Sequence, residues 1–266
     1  MKVFISADIE GVTGLTVWED ARANGSLYPE LVQQMGKEVA AACRGAKNAG
    51  AKEVIVKDSH GSGRNIDQNC LPKYAKLIRG WTGSPLAMVG GLDNTFDALL
   101  FIGYHDAAGS PGNPTAHTMN SSKISYLKFN GKLAGEFHIH SYAAAYLGVP
   151  TVFISGDEEV CKKAKEISKN IVTVATKKGL GSSTISINPI LAEEQIEEKA
   201  AAALNRDLEG YTIILPEYFD VELAYKQHFD AYRNSFYPGA QQISANTIKF
   251  KSNDYYEVLR FLSFVI

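Results

Sequence analysis

Strand-sized apolar runs alternate with helical hydrophobic patterns through the first 160 residues of the chain. Residues 2–7, 53–57 and 98–103 are runs of this kind, and each predicts a buried strand. Between the first two runs, apolar residues from Leu31 to Ala46 recur at helical spacing, which predicts an amphipathic helix. Gly50 follows this pattern, and a residue that tolerates positive φ is a typical helix stop.

A hairpin and further alternating elements follow along the chain. Asn130-Gly131, a pair favoured in two-residue hairpin turns, separates apolar residues 124–129 from a second strand that begins at residue 132. Asp157 and Asn188 have the chemistry of helix N-caps. The remaining expected elements are helices over 138–147, 158–167 and 189–204, strands over 151–155, 171–175, 212–215 and 247–250, and a final helix from about residue 254.

The order of these elements predicts an α/β fold. Strand–helix–strand units favour a mainly parallel sheet flanked by helices, with a β-hairpin insertion, and the later elements predict a second, smaller α/β lobe. No internal repeat, low-complexity tract or Pro/Ser-rich linker divides the chain. We therefore expect a single domain over residues 1–266, with lobes at about 1–156 and 157–266.

Composition and charge exclude several classes of protein. The 266 residues carry 27 Lys+Arg and 29 Asp+Glu, a balance that gives no basic surface for a nucleic acid. The longest apolar stretches have the length of a strand, so we expect no membrane span. Three widely spaced cysteines exclude a disulfide framework and favour a reducing cytoplasm.

Acidic and histidine side chains follow three of the predicted strands. Asp8 and Glu10 end the first strand, His60 follows the second and His105 the third. Ligands of open α/β sheets bind beyond the carboxyl ends of the strands. Carboxylates and imidazoles are ligands for zinc or a similar divalent ion, and a cation between two buried carboxylates relieves their repulsion. The alternative at each single position is an ordinary strand-end turn or a solvated loop histidine.

Two further segments add candidate residues. Glu136 stands where the hairpin meets a helix, and it is either a fourth ligand or a helix-start carboxylate. His117 lies in a loop rich in Gly, Pro and Ser, either as a catalytic imidazole or as a surface histidine. His140 is four residues beyond Glu136, on the same face of the expected helix. It either supports a metal ligand or is an extra ligand, or else it only makes a local contact with Glu136.

The sequence resembles the zinc-dependent D-aminopeptidase family, whose members hydrolyse peptides with an N-terminal D-amino acid. The resemblance runs over essentially the whole chain and rests on several motifs in a fixed order. These are Ser6-x-Asp8-x-Glu10-Gly11, Asp58-Ser59-His60, Met88-Val89-x-Gly91-Leu92-Asp93-x-Thr95-Phe96, Gly103-Tyr104-His105, His117-x-Met119 and Gly135-Glu136.

The resemblance implies a binuclear metallopeptidase that acts on short peptides through a metal-bound hydroxide. It implies two Zn²⁺ per subunit and a ring-shaped homodecamer. In the family the first aspartate bridges the ions, and the residue matching His117 is catalytic. The chain departs from the family pattern at Asp106, His138 and His140. The residues that match the family's zinc ligands are Asp8, Glu10, His60, His105 and Glu136.

Other functions and features stay open from the sequence. Another metallohydrolase on the same scaffold (an L-aminopeptidase, an amidase or a phosphoesterase) is one alternative, and a non-catalytic small-molecule binding protein is another. Residues 18–27 and 109–120 are candidate lids because they lack periodicity. A stripe of aromatic residues is compatible with a core helix or a subunit interface. It consists of Tyr225, Phe229, Tyr232 and Phe236.

Overall fold

The computed structural model describes residues 1–266 and has the predicted α/β architecture, built on two sheets. The strands are β1 (Lys2–Ala7), β2 (Glu53–Asp58), β3 (Ala75–Ile78), β4 (Ala98–Tyr104), β5 (Ile124–Phe129), β6 (Lys132–Leu133), β7 (Thr151–Asp157), β8 (Val172–Leu180), β9 (Ser183–Ser186), β10 (Phe219–Tyr225), β11 (Gln241–Gln242) and β12 (Thr247–Ser252). The helices are α1 (Tyr28–Asn48), α2 (Glu136–Tyr146), α3 (Glu158–Ile167), α4 (Pro189–Leu204), α5 (His228–Asn234) and α6 (Tyr255–Val265).

The first sheet is parallel except at one edge. Its strand order is β3-β2-β1-β4-β7-β8-β9, and only β9 pairs antiparallel. Alternate residues of β1 point to opposite faces, so Val3 and Ile5 pack with α1 and α4 while Phe4 packs with α2 and the second sheet. A sheet covered on both faces explains why these strands are continuously apolar in sequence.

The second sheet is antiparallel, in the order β11-β12-β10-β5-β6. It contains the predicted hairpin: Asn130 and Gly131 have φ values of +51° and +83°, as a tight hairpin turn requires. Strands from both sides of residue 156 enter each sheet, because β8 pairs with β7 and β5 pairs with β10. The division into lobes 1–156 and 157–266 stays a prediction.

Most predicted elements are present with small changes at their ends, and two expectations are wrong. Residues 212–215 form no strand. The aromatic stripe is not one helix, because Tyr225 ends the buried strand β10 and only the later members lie on or beside α5. The pattern also missed the short edge strands β3, β9 and β11, as well as β10. Edge strands bury little apolar surface and so leave little trace in the hydrophobic pattern.

Strand order determines which residues meet at the carboxyl edge of the first sheet. β1 lies between β2 and β4, and all three run in the same direction. The residues that follow them therefore converge on one place, although they are up to about 100 positions apart in the chain. No helix combines the length and the apolar character that a membrane crossing needs.

Candidate metal centre

The ends of β1 and β2 bring together the first three predicted ligands. His60 Nδ1 lies 3.3 Å from a carboxylate oxygen of Asp8 and 3.1 Å from one of Glu10. Asp8 and Glu10 are each only 2% exposed. One candidate ligand atom from each residue falls within 4.8 Å of the other two, a spacing that a single ion can span.

A second group forms from β4, the following loop and the start of α2. His105 Nε2 lies 3.3 Å from one carboxylate oxygen of Glu136, and His117 Nε2 lies 3.5 Å from the other. Glu136 is the first residue of α2, where the helix N-terminus stabilises its negative charge. Its Oε1 also accepts a hydrogen bond from the Met119 N–H at 2.6 Å.

Asp8 connects the two groups. Its Oδ1 faces His60, and its Oδ2 lies 3.5 Å from His105 Nε2. A carboxylate with one oxygen toward each group has the arrangement of a ligand that bridges two ions. All six residues singled out by sequence are thus at one edge of the first sheet.

The polar atoms of the site fit a cation better than they fit one another. Asp8 Oδ2, Glu10 Oε2 and His105 Nε2 are buried and have no hydrogen-bond partner, which is costly unless an ion binds them. His60 donates from Nε2 to the Ala21 carbonyl at 2.7 Å, and His105 donates from Nδ1 to the Asp106 carbonyl at 2.8 Å. These bonds orient the other ring nitrogen of each histidine toward the carboxylates, as in histidine ligands generally.

Electrostatics at the site point the same way. Burial raises the pKa of Asp8 to about 8, and Glu10 adds to the rise. Burial disfavours the charged form of His60 and His105, but the carboxylates outweigh it and raise the pKa of both imidazoles well above the ordinary value. Protons on the imidazoles thus balance the buried negative charge. Divalent cations in the same place supply that balance and displace the protons.

His117 is placed differently from the two other histidines. It donates from Nδ1 to the Thr115 carbonyl at 3.0 Å, which leaves Nε2 as an acceptor facing the site. Its ring stacks on His105 with centroids 4.3 Å apart and meets the edge of Trp18 at 5.1 Å. Burial and the neighbouring His105 lower the pKa of His117, so its neutral form is favoured. A neutral imidazole with a free Nε2 can accept a proton.

Two polar side chains that the sequence did not single out hold the backbone of Glu10. Asn113 donates from Nδ2 to the Glu10 carbonyl at 3.0 Å and to the Asp157 carboxylate at 3.1 Å. The buried Lys177 ammonium donates to the carbonyls of Glu10 and Leu15. Neither position carries a sequence signal, because Asn113 lies in a polar loop and Lys177 stands beside a second lysine.

Asp106 and His138, two of the departures from the family pattern, face away from the ligand groups. The Asp106 carboxylate pairs with the Lys163 ammonium and accepts the N–H of Ala107. His138 packs against Tyr142, and its buried Nε2 has no partner. Both side chains therefore lie on the α3 side of the sheet edge rather than among the ligands.

His140, the third departure, supports the site through backbone groups. It donates from Nδ1 to the Glu136 carbonyl at 2.7 Å and accepts the Met88 N–H at Nε2, at 3.3 Å. Burial lowers the pKa of His140 to about 4, which keeps the imidazole neutral for both bonds. It is not a member of either ligand group, so the interpretation as an extra ligand has no geometric support.

Gly103 allows β4 to pass close to the turn that follows β1. Its φ is +71°, and a Cβ at this position would lie 2.2 Å from the carbonyl oxygen of Asp8. Its own carbonyl accepts the Gly11 N–H at 2.7 Å. The absence of a side chain at Gly103 is therefore what lets Asp8 and His105 approach each other.

We expect Gly103→Ala to lower the melting temperature and the bound metal content together. A Cβ in left-handed backbone costs about 1 kcal/mol, and the overlap with Asp8 separates the two strand ends as well. Gly50→Ala is the matched control, because Gly50 has φ +86° with no atom within 4 Å of an added Cβ. Thermal unfolding and metal analysis compare the two variants. If the two variants lost melting temperature and bound metal equally, overlap of the added Cβ with Asp8 would not be the cause.

A cavity of about 450 Å³ opens above the two groups. Asp8, Glu10, Glu136 and His117 line it from the site, and residues of both candidate lid segments contribute to its wall. Trp18 and Arg22 come from the first segment, and Met119 comes from the second. Its volume is in the range of sites for small ligands. We refer to it as the site cavity.

Comparisons with known proteins match over nearly the whole chain. A model of the peptidase M55 family, described as D-aminopeptidase, matches residues 1–264. The D-aminopeptidase of Bacillus subtilis (strain 168) is 30% identical over 262 residues, covering 97% of this chain and 93% of that protein. The solved structure of Zn-dependent D-aminopeptidase DppA from Bacillus subtilis, described as a self-compartmentalizing protease, matches with a TM-score of 0.91 at 28% identity. That match covers 100% of this chain and 96% of the other.

Proposed function

Because this chain belongs to the D-aminopeptidase family M55, we propose that it is a zinc-dependent aminopeptidase that removes the N-terminal residue from short peptides. A preference for D-amino acids at that residue follows the activity for which its relatives are named. A fold alone does not determine an activity, so the proposal depends on the site.

The observation that carries the proposal is the pair of buried ligand groups that Asp8 connects. Asp8, Glu10 and His60 are suited to hold one zinc ion. Asp8, His105 and Glu136 are suited to hold the other, which gives two ions per subunit. Oxygen and imidazole nitrogen ligands match the preferences of zinc, and the buried atoms of Asp8, Glu10 and His105 that lack a hydrogen bond supply a reason for ions to bind.

When held by these residues, a zinc pair would supply Lewis-acid activation of the peptide carbonyl and would lower the pKa of water from 15.7 to about 7. The protein positions the proton carrier. His117, held by the Thr115 carbonyl, presents Nε2 to the site cavity, accepts the proton of the attacking water and returns it to the leaving amine. Trp18 packs on the His117 ring and restricts its rotation.

A substrate panel combined with metal analysis tests the proposal. We expect about two zinc ions per subunit and hydrolysis of D-alanine p-nitroanilide with a kcat/KM at least about tenfold above that for the L-isomer. Preference for the L-isomer would indicate an L-aminopeptidase, and preference for simple amides or p-nitrophenyl phosphate an amidase or phosphoesterase. Protein without divalent metal and without hydrolysis would support a small-molecule binding protein instead.

Assembly into a homo-oligomer, specifically a decameric ring, is part of the proposal. It is supported by the description of the DppA relative as self-compartmentalizing and by apolar side chains left on the surface. Phe236 and Phe264 are 71% and 72% exposed, and Phe229 and Tyr232, which lie on α5 and precede Phe236 in the chain, are exposed as well. Sedimentation equilibrium measures the number of subunits directly. A monomer at micromolar concentration would contradict the proposed assembly.

We also infer a cytoplasmic location. The three cysteines are free thiols, and two of them, Cys43 and Cys161, are buried. Free thiols persist most readily in a reducing compartment. Cell fractionation with compartment markers tests the inference.

A further inference from the structure

The site cavity has acidic groups at its base and one cation in its wall. Among the residues that line it, Asp8, Glu10 and Glu136 carry carboxylates, and Arg22 is the only lysine or arginine. The rest of the wall is aromatic, aliphatic or neutral and polar, and its aliphatic members are Ala21, Ala23, Met88 and Met119. A ligand with a negative group away from the reacting end would find one cationic partner for it, the exposed Arg22.

Arg22 has no anionic partner of its own. It forms no ion pair within 4 Å, and its side chain donates no hydrogen bond, although the neighbouring Glu19 and Asp20 are close in sequence. Its guanidinium instead lies 5.9 Å from the centre of the Trp18 ring. Stacking near an aromatic ring keeps an arginine extended while leaving its hydrogen-bond donors free.

The spacing from His117 to Arg22 suits a short peptide. His117 and Trp18 are 5.1 Å apart and Trp18 and Arg22 are 5.9 Å apart, so Arg22 is within reach of the reacting group across one aromatic ring. The distance from the His117 ring to the Arg22 guanidinium is therefore at most about 11 Å, which is the length of about three extended residues. A dipeptide or tripeptide that reacts at its first bond places its last residue within that distance.

We propose that Arg22 binds the C-terminal carboxylate of the substrate, so that a short peptide with a free carboxyl end is preferred over the same peptide with an amide end. The inference rests on the proposed aminopeptidase function. A guanidinium matches a carboxylate with two parallel hydrogen bonds, which neither an amide end nor the middle of a longer chain can accept in the same way. Arg22 is thus a specificity-determining residue, and it takes no part in the bond cleavage.

Matched peptides that differ only at the carboxyl end test the inference. For the zinc-loaded protein we expect the KM of D-alanylglycine to be about tenfold below that of D-alanylglycinamide, with similar kcat. Arg22→Gln should raise the KM of the acid and reduce the acid-to-amide ratio of kcat/KM to near one. Arg22→Lys should restore part of the ratio, because it retains the charge and loses the planar fork. Arg233→Gln, which removes an exposed arginine on α5, is the control and should leave the ratio unchanged.

A binding measurement separates this inference from the proposed function. Ketomethylene analogues of the two peptides lack the scissile C–N bond, and their binding can be followed by tryptophan fluorescence because both tryptophans, Trp18 and Trp81, line the site cavity. Tighter binding of the acid analogue, lost in Arg22→Gln, supports the inference even if no peptide is hydrolysed, which would overturn only the aminopeptidase proposal. Equal binding of acid and amide, or a preference that survives in Arg22→Gln, overturns the inference whatever the activity.

Discussion

We expect kcat to fall by about 10²–10⁴ when His117 is replaced with alanine, while the zinc content stays that of the wild-type protein. The reason is the separation of roles between the histidines. His60 and His105 each direct a nitrogen toward two carboxylates, whereas the only carboxylate near His117 Nε2 is that of Glu136, at 3.5 Å, and His117 opens onto the site cavity. Removing it takes away the proton carrier and leaves the five proposed ligands in place.

Stability and specificity controls keep this result interpretable. His117 stacks on His105, so truncation leaves a gap, and His117→Gln provides a second variant that fills more of the space without a basic group. His228→Ala removes an exposed histidine at the start of α5 and should leave kcat unchanged. Steady-state kinetics and zinc analysis are done on all three variants. Loss of zinc from both His117 variants would make His117 a ligand, and a kcat within threefold of wild type would exclude the proton-transfer role.

Replacing Asp8 with alanine is expected to abolish both zinc sites. Asp8 is the single residue with an oxygen toward each ligand group, 3.3 Å from His60 on one side and 3.5 Å from His105 on the other. Its loss removes one ligand from each proposed ion. Since metal activation contributes several kcal/mol to catalysis, kcat/KM should fall by about 10³ or more.

The control for Asp8 is a second buried acid near the same strand end. Glu38, on α1, accepts the Thr13 N–H and lies outside both ligand groups, and burial raises its pKa to about 7. Glu38→Gln keeps the shape of the side chain and should retain about two zinc ions per subunit. Elemental analysis of dialysed protein distinguishes the variants. Two zinc ions in Asp8→Ala would refute the bridging role, and loss of zinc from Glu38→Gln would show that any buried acid in this region matters.

The first sheet was predictable because each of its main strands can be recognised from a short segment of sequence alone. β1, β2 and β4 are buried on both faces, so each reads as a short apolar run, and the polar residue that ends each run marks the carboxyl edge. The helices α3 and α4 begin where Asp157 and Asn188 cap them, and both side chains accept the expected backbone hydrogen bond. The hairpin turn was also predictable from a short segment, because the pair Asn130-Gly131 is sufficient to indicate it.

The second sheet was not predictable to the same degree. β10 pairs with β5 and β12 across about 95 and 25 residues, and the expected strand over 212–215 does not form, although Ile213 is buried. Strand pairing over such separations depends on the packing of both partners, and no pattern within one segment specifies it. Tyr225 shows the same limit of local patterns. The spacing of the aromatic residues predicted that Tyr225 lies in a helix, but it is the last residue of a strand.

The sequence by itself determined which residues stand at the ends of the parallel strands, and hence the set of Asp8, Glu10, His60 and His105, because strand periodicity and strand ends are local properties of the chain. Glu136 was found at the junction of the hairpin and a helix, which is a local property as well. Only the tertiary structure decided how that set is arranged: that Asp8 faces both groups, that His140 bonds to backbone and that Asn113 and Lys177 hold Glu10. The placement of Arg22 in the wall of the site cavity belongs with these. Apart from the bond of His140 to the Glu136 carbonyl within α2, these contacts join segments that are distant in the chain, and their geometry follows from the packing of the whole sheet edge.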